Sequence, residues 1–112
     1  MGFLKGNLNY GPSIPSERLE LLNHIEDTEY RLTIYDFVYW ENMIPETWVK
    51  VLNRNIKDWK YVPHTLCRID KNYMVCSFEK DGQQKELKIR YKEDFHYSWK
   101  EFITVLQYNL DS

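Results

Sequence analysis

The 112-residue chain contains no alanine, only two cysteines, four glycines and four prolines, and no apolar run longer than a few residues. Without a long apolar run, a membrane-spanning helix is excluded. Because no apolar segment follows Met1, a secretory signal is not expected, and the chain is predicted to be cytoplasmic. The scarcity of glycine and proline excludes collagen-like and low-complexity chains, so the composition indicates an ordinary globular protein.

Motifs that would indicate catalysis or metal binding are also missing. HExxH, GxSxG, Walker and dinucleotide-binding glycine patterns are absent. Cys67 and Cys76 do not have the spacing of zinc-ribbon ligands. The three histidines, His24, His64 and His96, fall on three different predicted elements, so no general base or metal ligand stands out. The sequence therefore predicts a non-enzymatic protein without a metal or cofactor.

What the chain does contain is lysine, asparagine and aromatic residues. Aromatic residues make up 16% of the chain, and tyrosine and tryptophan suit interfaces as well as small cores because they bury apolar area while keeping a polar tip. Abundant lysine and asparagine without alanine are typical of AT-rich coding sequences, as in a low-GC bacterium or its phages. The length predicts a single domain over 1–112, with an extended arm over the glycine-containing residues 1–14.

Helix signals occupy the N-terminal half. Ser13 or Ser16 can cap a first helix that is predicted to end around Asp27. Residues 28–42 are rich in β-branched and aromatic side chains, which favours a strand, yet Thr33 and Asp36 have the spacing of a helix capping box. A short strand at 30–32 followed by a helix at 34–42 satisfies both signals, and a continuous strand remains the alternative.

Two further amphipathic helices are predicted from apolar spacing. Pro45 suits the first turn of a helix, and the last helix is expected to begin near Asp94. The apolar stripe of the first of these helices comprises Trp48, Val51, Leu52, Ile56 and Trp59, and that of the last helix Trp99, Phe102, Ile103, Leu106 and Leu110.

A three-stranded antiparallel meander is predicted between about residues 61 and 92. Asp81-Gly82 is a strong two-residue hairpin turn, which pairs Cys76 with Leu87 and Met74 with Ile89. If Lys71-Asn72 is the centre of the preceding turn, Cys67 faces Cys76 and Ile69 faces Met74, which puts both cysteines on the apolar face. That face is expected to pack against helices from the N-terminal half and the C-terminal helix, giving an α+β domain.

Charge is segregated along the chain although the net charge is only −2. Residues 15–46 hold eight acidic and two basic side chains, whereas residues 47–92 hold eleven basic and five acidic ones. Such asymmetry can mark a surface for a charged partner, although opposite segments can also lie together and neutralise each other. The partner-facing acids predicted from the first segment are Glu17, Glu20, Glu26 and Glu29.

These features predict a non-enzymatic inhibitor that docks on a protein target by charge complementarity, with a cationic target favoured, in the manner of toxin-immunity or phage anti-defence proteins. The alternative is a nucleic-acid-binding or regulatory protein that uses the basic face of the sheet, and its predicted residues are Arg68, Tyr73, Lys88, Arg90 and Lys92. The pI of 5.9 is low for a nucleic-acid-binding domain, so a nucleic acid is the less favoured partner. The sequence does not indicate an oligomeric state.

Overall fold

A computed structural model describes residues 16–90 and 96–112. The arm expected over 1–14 lies outside the described residues. The elements are, in chain order, α1 (Ser16–Asn23), a 3₁₀ turn (Ile25–Asp27), β1 (Arg31–Leu32), α2 (Ile34–Met43), α3 (Pro45–Asn55), β2 (Lys60–Tyr61), β3 (Cys67–Arg68), β4 (Tyr73–Lys80), β5 (Gln83–Arg90), β6 (Tyr97–Ser98) and α4 (Trp99–Leu110).

Capping boxes fix the starts of α2 and α4. The Thr33 side chain accepts a hydrogen bond from the Asp36 amide while the Asp36 carboxylate accepts from the Thr33 amide, which confirms the short strand followed by a helix. Ser98 and Glu101 form the same reciprocal pair at the start of α4. The expected start near Asp94 was therefore wrong, because the box places the first helical residue at Trp99 and residues 97–98 pair with β1 instead.

Two helices are shorter than their apolar patterns suggested. The α-helical part of α1 ends at Asn23, and the segment up to Asp27 continues only as a 3₁₀ turn. Helix α3 ends at Asn55, since Ile56 has extended backbone angles. Ile56 nevertheless remains buried, whereas Trp59 is half-buried and lies under the ammonium groups of Lys80 and Lys85.

Strand β4 is the centre of the main sheet, with β5 on one side and the short strands β2 and β3 on the other. The hairpin from β4 to β5 has the predicted register, pairing Cys76 with Leu87 and Met74 with Ile89. Its turn residues Asp81 and Gly82 both have positive φ angles, 51° and 82°, as a type I′ turn requires. The predicted meander is thus confirmed, with its first strand broken into two short pieces.

The register predicted for the turn before β4 was wrong by one residue. Cys67 pairs with Val75 rather than Cys76, and Arg68 rather than Ile69 pairs with Met74. The Asp70 carboxylate accepts hydrogen bonds from the amides of Asn72 and Tyr73, which lengthens the loop beyond a two-residue turn. Because side chains alternate across a strand, this shift moves Cys67 and Ile69 to the outer face of the sheet, where both are exposed.

The inner face of the sheet packs against the helices. Its buried side chains are Met74, Cys76, Phe78, Leu87 and Ile89. Trp48 of α3 lies at the centre of an aromatic cluster, with ring centroids 5.9 Å from Phe37 of α2 and 6.2 Å from Trp99 of α4. Helices therefore cover one face of an antiparallel sheet, which is the α+β arrangement expected.

Candidate protein-binding surfaces

The acidic N-terminal segment is anchored by a few buried side chains and exposes its carboxylates. Leu22 of α1 and Ile25 of the 3₁₀ turn are completely buried. Glu17 and Glu20 lie on the face of α1 away from Leu22 and are exposed, and Glu29, which follows the 3₁₀ turn, is exposed as well. The fold therefore exposes all four predicted acids, Glu26 included.

Arg18, the one cation of α1, points towards the protein rather than towards its acidic neighbours. Its Nη2 donates to the Asp36 Oδ1 over 2.7 Å, and Asp36 is only 4% exposed. The guanidinium carbon also lies 4.9 Å from the ring centroid of Tyr39. The charge of Arg18 is thus directed to a buried carboxylate and does not offset Glu17 and Glu20 directly.

Glu26, the fourth predicted acid, is held by α3. Arg54 donates to both of its carboxylate oxygens over 2.6 Å, and the Asn55 side chain donates over 2.9 Å. The hydrogen bonds from Arg54 lower the pKa of Glu26 to about 2. This carboxylate therefore joins the 3₁₀ turn to α3, and its charge is already partly compensated.

Four carboxylates of the segment form no ion pair with any residue in the described ranges: Glu17, Glu20, Asp27 and Glu29. Asp27 was not among the predicted site residues although it is exposed beside Glu26. We call these four residues the acidic surface. Within residues 16–30, every carboxylate except Glu26 therefore remains available to a cationic partner.

A surface groove of about 510 Å³ adjoins the acidic surface. Glu26 and Glu29 line one side, the first turn of α4 with Lys100 lines another, and Trp99 and Ile103 provide apolar area. Its charged lining has both signs, because Arg31 also contributes. The groove is suited to hold a side chain of a docking protein, and its lining contains no histidine or cysteine.

The sequence patterns did not predict that one acidic side chain, that of Glu41, has a buried structural role. Glu41 in α2 is 3% exposed, accepts hydrogen bonds from the Tyr61 hydroxyl at 2.9 and 3.0 Å, and accepts from the Leu66 amide at 3.0 Å. Its helical spacing from Ile34 and Phe37 could have indicated that it shares their buried face. Burial, with Cys76 and Glu41 nearby, raises the pKa of Tyr61, so this hydroxyl remains a donor.

The alternative basic face is only partly assembled. Tyr73 pairs with Arg90 and shares the outer face with Lys88, whose ammonium lies 4.5 Å from the Tyr73 ring centroid. Arg68 does not belong to this row, since its pairing partner Met74 points to the core, and its guanidinium instead donates to the carbonyls of Asp70 and Lys71. Lys92 lies outside the described residues.

The outer face is also not uniformly basic. Glu79 and Glu86 lie on the same face of the hairpin as Lys88 and Arg90, nearer to the Asp81-Gly82 turn. Among described residues, a single ion pair, Arg54 with Glu26, joins the basic segment to the acidic one. The acidic helices therefore do not neutralise the sheet, and the sheet does not present one continuous positive field.

The histidines and acids do not form a metal-binding cluster within residues 16–90 and 96–112. No group of three metal-ligating side chains occurs there. His24, His64 and His96 are all exposed and lie on separate parts of the fold. No helix in the described ranges is long and apolar enough to cross a bilayer.

Comparison with known proteins gives no relative: no family model, no curated protein and no solved structure matches this chain.

Proposed function

We propose that the protein is a non-enzymatic inhibitor that binds a cationic protein target through its acidic surface. The observation that supports this most directly is the set of four exposed carboxylates, Glu17, Glu20, Asp27 and Glu29, that have no ion-pair partner in the described part of the chain. Unpaired exposed charges of one sign steer an oppositely charged partner and accelerate its association.

The ion pairs of the two neighbouring arginines also support the proposal. Arg18 is bound to the buried Asp36 and Arg54 to Glu26, so neither is available to repel a cationic partner. A basic target that covers this region would remove water from the exposed carboxylates, and its own cations placed beside them would offset that loss of solvation. Toxin-immunity and phage anti-defence proteins are the functional classes that such a charge-complementary mask would fit.

The test compares wild-type chain with a triple variant, Glu17→Lys, Glu20→Lys and Glu29→Lys. Target proteins captured by the wild-type chain are identified, and their association rates are measured with purified components. The triple variant should slow association by about tenfold or more at low salt, since each reversal turns attraction into repulsion. The effect should shrink between about 0.1 M and 1 M salt, where the Debye length falls from about 10 Å to about 3 Å.

Glu79→Lys on the sheet is the matched control for the single variant Glu17→Lys, because each reverses one exposed charge and only Glu17 lies on α1. The proposal requires that this control associates normally and that the wild-type chain inhibits the activity of the captured target. It is refuted if the triple variant associates at the wild-type rate, or if the isolated chain turns over a substrate.

A further inference from the structure

The end of the sheet near the turn from β3 to β4 combines exposed apolar and cationic side chains. The shifted register brings Cys67 beside Val75 on the outer face and leaves Ile69 47% exposed next to Tyr73. We call the following eight residues the sheet-end surface: an apolar centre of Cys67, Ile69, Tyr73 and Val75, and a cationic rim of Arg68, Lys71, Lys88 and Arg90.

Within the described part of the chain, the cations of this rim are not neutralised by ion pairs. None of the four forms an ion pair with another described residue. Asp70, the carboxylate inside the turn, accepts hydrogen bonds from the amides of Asn72 and Tyr73 at 2.7 and 3.0 Å. Arg68 occupies the position opposite Met74, but its guanidinium reaches the carbonyls of Asp70 and Lys71 at the turn, and Arg68 lines a shallow cavity there together with Ile69.

The shape of the surface also suits an inserted side chain. A shallow cavity of about 280 Å³ lies between Arg68, Ile69, Asp70 and Lys71. An apolar centre surrounded by polar side chains is the usual organisation of a protein interface. Three of the apolar side chains come from rigidly paired positions on β3 and β4, so little ordering is needed when a partner binds.

We propose that the sheet-end surface binds an acidic protein segment that places an apolar side chain against Ile69 and Val75 and carboxylates against Lys88 and Arg90. Charge complementarity selects this occupant, because the rim is cationic and forms no ion pair within residues 16–90 and 96–112, while the centre is apolar. This surface is separate from the acidic surface and would bind a second partner of opposite charge.

A protein segment fits these observations better than a nucleic acid. Base stacking needs an open aromatic face, and the Lys88 ammonium already lies 4.5 Å from the centroid of the Tyr73 ring. Glu79 and Glu86 lie further along the same face and would repel a phosphate backbone that continued over the sheet. The aliphatic side chains of Ile69 and Val75 contribute no stacking, whereas they bury apolar area against a Leu or Phe side chain.

The experiment measures binding of the full chain to short synthetic peptides in which a central leucine or phenylalanine is flanked by glutamates. Matched peptides carry alanine at the centre or lysine at the flanks, and an oligothymidylate serves as the nucleic-acid probe. The acidic apolar peptide should bind most tightly. Ile69→Asp and the pair Lys88→Glu with Arg90→Glu should each weaken that binding by about tenfold or more.

Two exposed positions on the helices serve as controls, because the same kinds of substitution can be made there, away from the sheet-end surface. Tyr108→Asp introduces a carboxylate at a 74% exposed aromatic residue on α4, and Lys50→Glu reverses an exposed charge on α3. Both should bind the peptide like wild type, and circular dichroism should show that every variant is folded. Normal peptide binding by Ile69→Asp would overturn the proposal.

The other possible results of this experiment would also overturn the proposal or assign the surface to a different partner. Equal affinity for the leucine-centred and alanine-centred peptides would show charge attraction without an apolar contact and would overturn the proposal, as would failure of every acidic peptide to bind. Preferential binding of oligothymidylate that Lys88→Glu abolishes would assign the surface to nucleic acid instead. Sedimentation that shows a dimer lost in Ile69→Asp would assign it to a second copy of the chain.

Discussion

Replacing Asp36 should test how the acidic surface is attached to the core. Its carboxylate accepts hydrogen bonds from Arg18 at 2.7 Å, from the Tyr30 hydroxyl at 3.1 Å, and from the amide and hydroxyl of Thr33 at 2.9 and 3.2 Å. One buried side chain thus caps α2 and ties α1 to it. Asp36→Ala removes all four interactions at once, and α1 should loosen as a result.

The expected loss can be worked out from the two kinds of interaction. Loss of the helix cap costs about 1 kcal/mol. Removing one partner of a fully buried ion pair costs about 3–5 kcal/mol, but the Arg18 side chain is 27% exposed and can recover solvent, so about 2 kcal/mol is reasonable. The free energy of unfolding should therefore fall by about 3 kcal/mol, which lowers the Tm by about 10–15 °C in a domain of this size.

Urea unfolding followed by tryptophan fluorescence measures this change. Arg18→Met removes the ion pair and the cation–π contacts of Arg18 but leaves the hydrogen bonds of Asp36 to Tyr30 and Thr33. Thr33→Ala removes only the side-chain half of the cap, so both variants should cost less than Asp36→Ala. The double variant Arg18→Met with Asp36→Ala closes a double-mutant cycle, whose coupling energy should be about 1–2 kcal/mol. A loss below about 0.5 kcal/mol for Asp36→Ala, the size of an ordinary surface substitution, would refute the reasoning.

Three other predictions follow from burial and pKa. The pKa of Glu26 is lowered from 4.5 to about 2, so the stability that its ionised form contributes is complete above pH 4.5 and is lost as the pH falls towards 2. In Glu26→Gln, the free energy of unfolding measured in urea should depend less on pH in that window, by about 1 kcal/mol after allowance for the solvent exposure of Glu26. Burial raises the pKa of Cys76 to about 12, so Ellman's reagent should titrate one thiol, Cys67, in the folded protein and two in urea. Trp48→Ala should cost about 3–5 kcal/mol because its ring is buried, whereas calorimetry should show a smaller loss for the half-buried Trp59→Ala.

The parts of the fold that the sequence predicts correctly are those in which a local signal decides the structure. Asp81-Gly82 adopts the positive φ angles that its residue types favour, and this alone sets the register of the long hairpin. The pair Thr33 and Asp36 closes a capping box within four residues, so the start of α2 needs no tertiary information.

The first turn of the sheet shows why other predictions fail. Residues 70–72 can form a two-residue or a three-residue connection with similar chemistry, and the hydrogen bonds from Asn72 and Tyr73 to the Asp70 carboxylate determine which one forms. The pattern of apolar residues did not detect the difference, because Cys67 and Ile69 look like core residues although the structure exposes both.

The sequence predicts where the candidate surfaces lie, but not which of the acidic side chains are bound or buried within the fold. Glu17, Glu20 and Glu29 are exposed as expected, yet no sequence pattern shows that Glu26 would be bound by an arginine 28 positions away. Likewise Glu41 counts as an acidic residue in the sequence, while in the fold it is buried and serves the backbone of the β2 to β3 connection. Such pairings depend on long-range packing, which composition does not encode.

The ion pairs of the described residues also bear on how the two proposed surfaces would act together. Both arginines of the acidic segment bind carboxylates, Arg18 to Asp36 and Arg31 to Glu101, and only Arg54 crosses from the basic segment to the acidic one. Folding therefore preserves the charge segregation of the sequence instead of cancelling it. If both surfaces bind proteins, charge reversal on one should leave binding at the other unchanged, because no ion pair links them, and a ternary complex should form with the two affinities measured separately. Mutual exclusion of the two partners would instead mean that they compete for one shared surface.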